Sequence, residues 1–297
     1  MTLFEAPDPQ GDEAEPLEAR PDATAPVEGV DEAGPSQVVR LVVAYDGAGF
    51  RGFARQPGTR TVGGVLAESA AKVLRGPVEL VCAGRTDAGV HAWAQVVSMR
   101  VPTDDPVDTD KLARAITRQL GPEVVVRACH VVADDFDARR GATWRRYRYL
   151  VVNRPVPDPA LARTSWWVDA PLDIHRLRLA ADPFVGEHDF ACFCRKGPEG
   201  STTQRTVLDS RWTDLGDGLL RYEIAARAFC WQMVRSVVAT IVEAGKGRVR
   251  PGEVLGMLRD PERPRVSVLA PAHGLTLWAV GYDGWSTDEV APDAVPA

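Results

Sequence analysis

Residues 82–97 read CAGRTDAGVHAWAQVV. An apolar strand runs into a tight polar loop and out into a second apolar strand. Gly84 and Gly89 bracket Arg85, Thr86 and Asp87, and His91 follows. A turn needs only a glycine for positive φ and a small polar neighbour. An arginine, a carboxylate and an imidazole so close together exceed that need, so this loop is the first candidate for chemistry. Arg85 and Asp87 stand two apart in a constrained turn, which lets them point the same way or bind the loop's own amides.

Strands and helices alternate on both sides of this loop. VVRLVVAYDG (38–47) is β-branched and ends on a turn signal, so it reads as a buried strand. TVGGVLAESAAKVL (61–74) has helical spacing despite two early glycines. VELVCAG (78–84) and WAQVVSMRV (93–101) are the strands flanking the loop. TDKLARAITRQL (109–120) is an amphipathic helix with Thr109 or Asp110 available as its N-cap. VVVRACHVV (124–132) and RYRYLVVN (146–153) are strands again.

The proline-rich RPVPDPALA (154–162) opens a second half. A helix beginning in LDIHRLRLAADPFVG (172–186) must break near Pro183. TTQRTVLDSRWTDL (202–215) and LLRYEIAARA (219–228) form a strand pair. FCWQMVRSVVATIVEAGKG (229–247) is the clearest helix, PGEVLGMLRD (251–260) a short one, and GLTLWAVGYD (274–283) the last strand. The expected class is α+β: two antiparallel-rich α/β halves, 38–155 and 156–283, forming a sheet platform with a cleft between them.

Charge is unevenly spread. Residues 1–37 hold ten acidic residues against Arg20 alone, a net of −9, and 284–297 carry −3. Set against −6 for the whole chain, those tails leave the body 38–283 at +6. A basic body suits a polyanionic partner and is equally compatible with an ordinary surface between acidic ends. Both tails, 1–37 and 284–297, are too poor in apolar residues to offset ordering entropy and are expected to be disordered.

No run approaches the ~20 apolar residues of a membrane span, and the acidic start has no secretory apolar core. We therefore expect no membrane and a cytoplasmic setting. Five cysteines, odd in number and scattered, suit a reducing compartment better than a disulfide framework. Cys192 and Cys194 lack a second ligand pair at metal spacing, so no metal is expected. Neither a P-loop nor a GxGxxG stretch is present.

Two further segments could carry chemistry. In TWRRYRYLVV (143–152), strand alternation places Trp144, Arg146 and Arg148 on one face and Arg145, Tyr147 and Tyr149 on the other. Such a ribbon can stack on bases and contact phosphates; it can equally be an exposed edge strand with aromatic pairs. In the helix expected from 229, Phe229, Met233, Val237 and Ile241 form an apolar stripe. Arg235 stands deep among apolar neighbours and calls for a buried carboxylate partner, unless it snorkels to solvent.

CAGRTDAGVHAWAQVVSM (82–99) resembles the catalytic loop of the TruA family of tRNA pseudouridine synthases. YDGAGFRGFARQPGTRTV (45–62), DDFDARRGATWRRYRY (134–149), ARAFCWQMVRSVV (226–238) and LAPAHGLTLWAVGYD (269–283) resemble its other motifs, in family order. The resemblance covers about 38–283. It implies the pseudouridine synthase fold with a central basic cleft, and isomerisation of uridine to pseudouridine in the anticodon stem-loop of tRNA. It implies a homodimer with no cofactor and no metal.

Residue by residue, it implies that Asp87 is the catalytic carboxylate and that Arg85 helps flip the uridine. It implies that Tyr147 stacks on the flipped base and takes the C5 proton, that Arg235 pairs with Asp87 to keep it ionised, and that Phe229 contacts substrate. His91 supports the loop or contacts RNA. Phe53, Ala54, Gly63, Arg227, Cys230, Trp231 and Gln232 depart from the usual family residues without removing a catalytic group. The competing reading is a non-catalytic RNA-binding protein on the same fold, for which keeping Asp87, Tyr147 and Arg235 together has no purpose. An aspartate-nucleophile hydrolase would need a second acid beside Asp87.

Overall fold

β-branched stretches and capped amphipathic segments alternate along the described part of the chain, residues 35–289 except 196, 198, 199 and 261, in the computed structural model. The elements in chain order begin with β1 (Ser36–Tyr45), α1 (Val62–Leu74), β2 (Leu80–Cys82), β3 (His91–Pro102), α2 (Thr109–Leu120), β4 (Val124–Val132) and β5 (Trp144–Val152). The chain continues through β6 (Trp166–Trp167), α3 (Ile174–Ala181), β7 (Gly186–Asp189), β8 (Gln204–Asp214), β9 (Leu219–Ala226), α4 (Met233–Gly245), α5 (Pro251–Arg259), β10 (Leu275–Tyr282) and β11 (Trp285–Ser286).

The caps explain where the helices start. Thr61 accepts from the Gly64 amide at 3.2 Å to open α1. Asp108, not Thr109 or Asp110, caps α2 by accepting from Lys111 N–H at 2.9 Å. Asp173 caps α3, which passes into a 3₁₀ turn at Asp182–Phe184 where Pro183 removes an amide donor. The glycine at 63 is required by close approach: a Cβ there would lie 2.7 Å from the Phe53 carbonyl oxygen.

The strands form one mixed sheet in the order β4-β1-β3-β10-β5-β9-β8-β7, with β2 on β3, β6 on β5 and β11 on β10. Most pairs are antiparallel; β10 runs parallel to β3, and β6 to β5. β10, from the far end of the chain, lies between β3 and β5, so the sheet is continuous across the 155/156 division drawn from sequence. Among the described residues the fold is α+β, a large mixed sheet with five α-helices.

Three expectations need correction. β5 is a central strand between β10 and β9, neither an edge nor an open ribbon, and Tyr147 and Tyr149 are only 8% and 0% exposed. On its other face Arg148 binds Glu223 at 2.7 Å and lies over the Trp278 ring, whose partner in a stack is Trp93. α4 begins at Met233, because Gln232 adopts a left-handed conformation with φ 60°; Phe229 is therefore outside the helical stripe. The ordered body also extends past both expected tail boundaries. Ser36 already belongs to β1, β11 pairs with β10, Thr287 accepts from Val280 N–H at 2.9 Å, and Asp288 pairs with Arg146 at 2.9 Å. The rest of both acidic tails lies outside the described residues.

Candidate active site

The loop between β2 and β3 is held by buried polar groups. Gln95, fully buried on β3, donates its side-chain amide to the Gly84 carbonyl at 2.7 Å and accepts from Gly84 N–H at 3.4 Å. It thereby replaces the backbone pairing lost where β2 ends. Thr86 shares a hydrogen bond with the Tyr45 hydroxyl at 2.8 Å, and its carbonyl accepts from Phe53 N–H at 3.1 Å. Gly52 passes so close that a Cβ would lie 2.9 Å from that carbonyl, and its φ of +93° suits only glycine comfortably.

His91 anchors the loop's exit. Its Nδ1 accepts from Gly47 N–H at 3.0 Å, and its Nε2 lies 3.0 Å from the Arg163 carbonyl. With Nδ1 accepting, the ring is neutral and Nε2–H is the donor. Burial holds the imidazole below its ordinary pKa, and the Asp46 carboxylate 3.2 Å away opposes that only in part. Both ring nitrogens are engaged in structure.

Asp87 is left with its carboxylate only partly covered. Arg235 Nη1 stands 3.6 Å from Oδ2, so the arginine that needed an acid partner has one. Arg235 is itself fixed from the strand side: its Nε donates to the Ala270 carbonyl at 2.7 Å, and its own carbonyl accepts from Ala270 N–H at 3.2 Å. Burial pushes the Asp87 carboxyl above the usual range; Arg235 and Trp231 pull it back without reversing the direction. The pairing thus offsets desolvation and does not outweigh it.

Tyr147 meets Phe229 edge-on at 5.1 Å between centroids, and its hydroxyl lies 3.8 Å from where a Cβ on Gly84 would stand. Burial raises the phenol pKa; Arg145 opposes this and the Asp87 charge adds to it. Asp87, Tyr147, Phe229 and Arg235 are therefore gathered in one place from three separated segments, with Arg85 exposed on the same loop.

Sequence reasoning missed three participants. Gln95 read as a strand residue, although an amide in the apolar run WAQVV was a signal. Arg145 donates to the carbonyls of Ala83, Arg139, Ala142 and Arg227 at 2.8–3.1 Å, joining three loops. Trp231 read as a helix residue.

No group of three potential metal ligands occurs among the described residues. The cysteine expectation is corrected: Cys194 and Cys230 form a disulfide with Cα atoms 5.8 Å apart, while Cys192 is buried and donates to the Met257 carbonyl.

A family model described as tRNA pseudouridine synthase matches residues 180–283. The chain is 39% identical to tRNA pseudouridine synthase A of Leifsonia xyli over 262 residues, covering 82% of this chain and 91% of that protein. It is 41% identical to the Cutibacterium acnes protein of the same name, covering 87% and 92%. The chain belongs to the TruA family. The Streptomyces griseus relative, also named tRNA pseudouridine synthase A, is 41% identical over 85% of this chain and 90% of its own. Within the TruA chain described above, the segment matched by the family model contains Phe229, Trp231 and Arg235, whereas Asp87 and Tyr147 lie ahead of it.

Proposed function

We propose that this chain isomerises uridine to pseudouridine in the anticodon stem-loop of tRNA, with Asp87 as the catalytic carboxylate. The observation that carries this reading is the placement of Asp87: a carboxylate on a rigidly framed loop, partly buried, opposite Arg235 and beside Tyr147. A binding protein has no use for a desolvated acid held this way, because burying it costs free energy that RNA contact does not recover.

The reaction breaks the bond from ribose C1′ to N1 of the base, turns the base, and joins C1′ to C5. The proton on C5 leaves and N1 gains one, so product and substrate have the same atoms and no oxidant or co-substrate is consumed. Asp87 supplies the carboxylate, acting on C1′ as nucleophile or on C2′ as base. Arg235 keeps it ionised against desolvation and orients it. Tyr147 and Phe229 line the face of the extruded base, as enzymes acting on a base must take it out of the stack. The raised phenol pKa of Tyr147 keeps its hydroxyl protonated near neutrality, which suits hydrogen bonding to the base better than accepting the C5 proton. Arg85 occupies the place the base vacates. The two halves flank a basic cleft, the working unit is a homodimer in the cytoplasm, and neither cofactor nor metal takes part.

The test is tritium release from C5-labelled uridine in unmodified tRNA. Wild type should release tritium and Asp87→Asn should not, while both bind tRNA. No release by either with binding intact would favour the RNA-binding reading; release by the variant would remove Asp87 from the chemistry.

A further inference from the structure

Trp231 lies between Phe229, which meets Tyr147, and Arg235, which meets Asp87. It is 56% exposed. An indole so exposed contributes little to the core. Its position is nevertheless tightly held. Arg195 N–H donates to the Trp231 carbonyl at 3.0 Å, Arg195 Nε donates to the Gln232 side-chain oxygen at 2.9 Å, and Gln232 is locked in the left-handed region. On its other side, Cys230 is bonded to Cys194. Four constraints from two segments thus hold the backbone that carries one aromatic ring, outside any helix and between the Tyr147 contact of Phe229 and the Asp87 contact of Arg235. The exposed guanidiniums of Arg195 and Arg227 belong to these same two segments, and exposed Arg85 shares the Asp87 loop.

A fixed, solvent-facing aromatic ring among arginines is the composition that binds an unpaired nucleotide: the ring takes the base face and the cations take the phosphates. Tyr147 and Phe229 already stand together, edge to face, on the Tyr147 side of Asp87. We propose that Trp231 is a specificity-determining residue that stacks on the unpaired nucleotide next to the reacting uridine. This rests on the reading of Asp87 given above.

The experiment compares wild type, Trp231→Phe and Trp231→Ala on an unmodified anticodon stem-loop RNA. The same RNA with abasic sites flanking the target uridine serves as a second substrate, with dissociation constant, kcat and the pH profile of kcat measured throughout. Trp231→Phe, which keeps an aromatic face, should bind as wild type does. Trp231→Ala should bind roughly tenfold more weakly, the scale of one lost base stack. Wild type should lose a similar factor on the abasic RNA, and Trp231→Ala should lose nothing further there. Equal binding by wild type and Trp231→Ala overturns the proposal, as does an undiminished abasic penalty in Trp231→Ala. The binding comparison is independent of chemistry: if Asp87→Asn proves active, the Asp87 reading fails while the stacking arm still gives its own answer. Because the abasic arm uses wild type, misfolding of a variant cannot hide the result.

Discussion

Arg235 and Asp87 come from opposite ends of the fold and meet at 3.6 Å, with Arg235 pinned by two hydrogen bonds to Ala270 just ahead of β10. The arginine is thus fixed by backbone before it meets the acid. The ion pair depends on β10 being threaded between β3 and β5, so a strand late in the chain helps to fix the arginine that faces a loop early in it.

Replacing Arg235 with glutamine removes the main counter to Asp87 desolvation. The Asp87 pKa, already raised by burial, should rise further, and the acid limb of kcat should move to higher pH. At neutral pH kcat should fall about a hundredfold, the usual effect of losing one preorganised electrostatic partner, with tRNA binding little changed. A pH–rate series on Arg235→Gln and Arg235→Lys checks this; an unmoved acid limb would refute the pairing as the cause.

Glu223 is a structural charge on the opposite sheet face. Burial alone would push its carboxyl up, but Arg148, Arg211 and Arg221, at 2.7, 3.1 and 3.4 Å, together hold it below its ordinary value. A depressed folded-state pKa stabilises above the unfolded value of about 4.5 and loses that contribution as pH falls through the folded value. Glu223→Gln should cost about 3 kcal/mol at pH 7, discounted from more because the arginines are partly exposed. Its penalty should shrink toward acid. Denaturant melts of both proteins between pH 7 and pH 3 measure it.

His91 has the opposite charge type and the same sign of dependence. Its folded pKa is lowered mainly by burial, with the Asp46 carboxylate and backbone hydrogen bonds at Arg163 and His273 opposing the shift. The unfolded chain therefore binds more protons, and wild-type stability should decline as pH falls below about 6.5. His91→Gln should flatten that decline. Thermal melts from pH 8 to pH 5 decide the point, and an equally steep decline in the variant would rule His91 out as its source.

Much of the site is legible in the sequence. The crowding of Arg85, Asp87 and His91 between strands marked the loop, and the cost of an unpaired buried arginine demanded an acid for Arg235. These inferences rest on residue chemistry and short-range pattern, which a linear reading captures. Trp231 and Gln95 escaped it because their roles depend on what lies across a loop or a strand. The helix from 229 was read too long because apolar spacing alone does not register a left-handed residue at Gln232.

The sequence by itself determined the strand and helix alternation, the glycine-bracketed loop, the family and the requirement that Arg235 find a carboxylate, because periodicity, cap chemistry and desolvation act locally. Tertiary structure alone decided that β5 is central and its tyrosines buried, that β10 enters mid-sheet, and that Trp231 stands exposed outside α4. Strand neighbours are chosen by non-local pairing, in which many segments of similar apolar pattern compete, and only the assembled sheet selects among them.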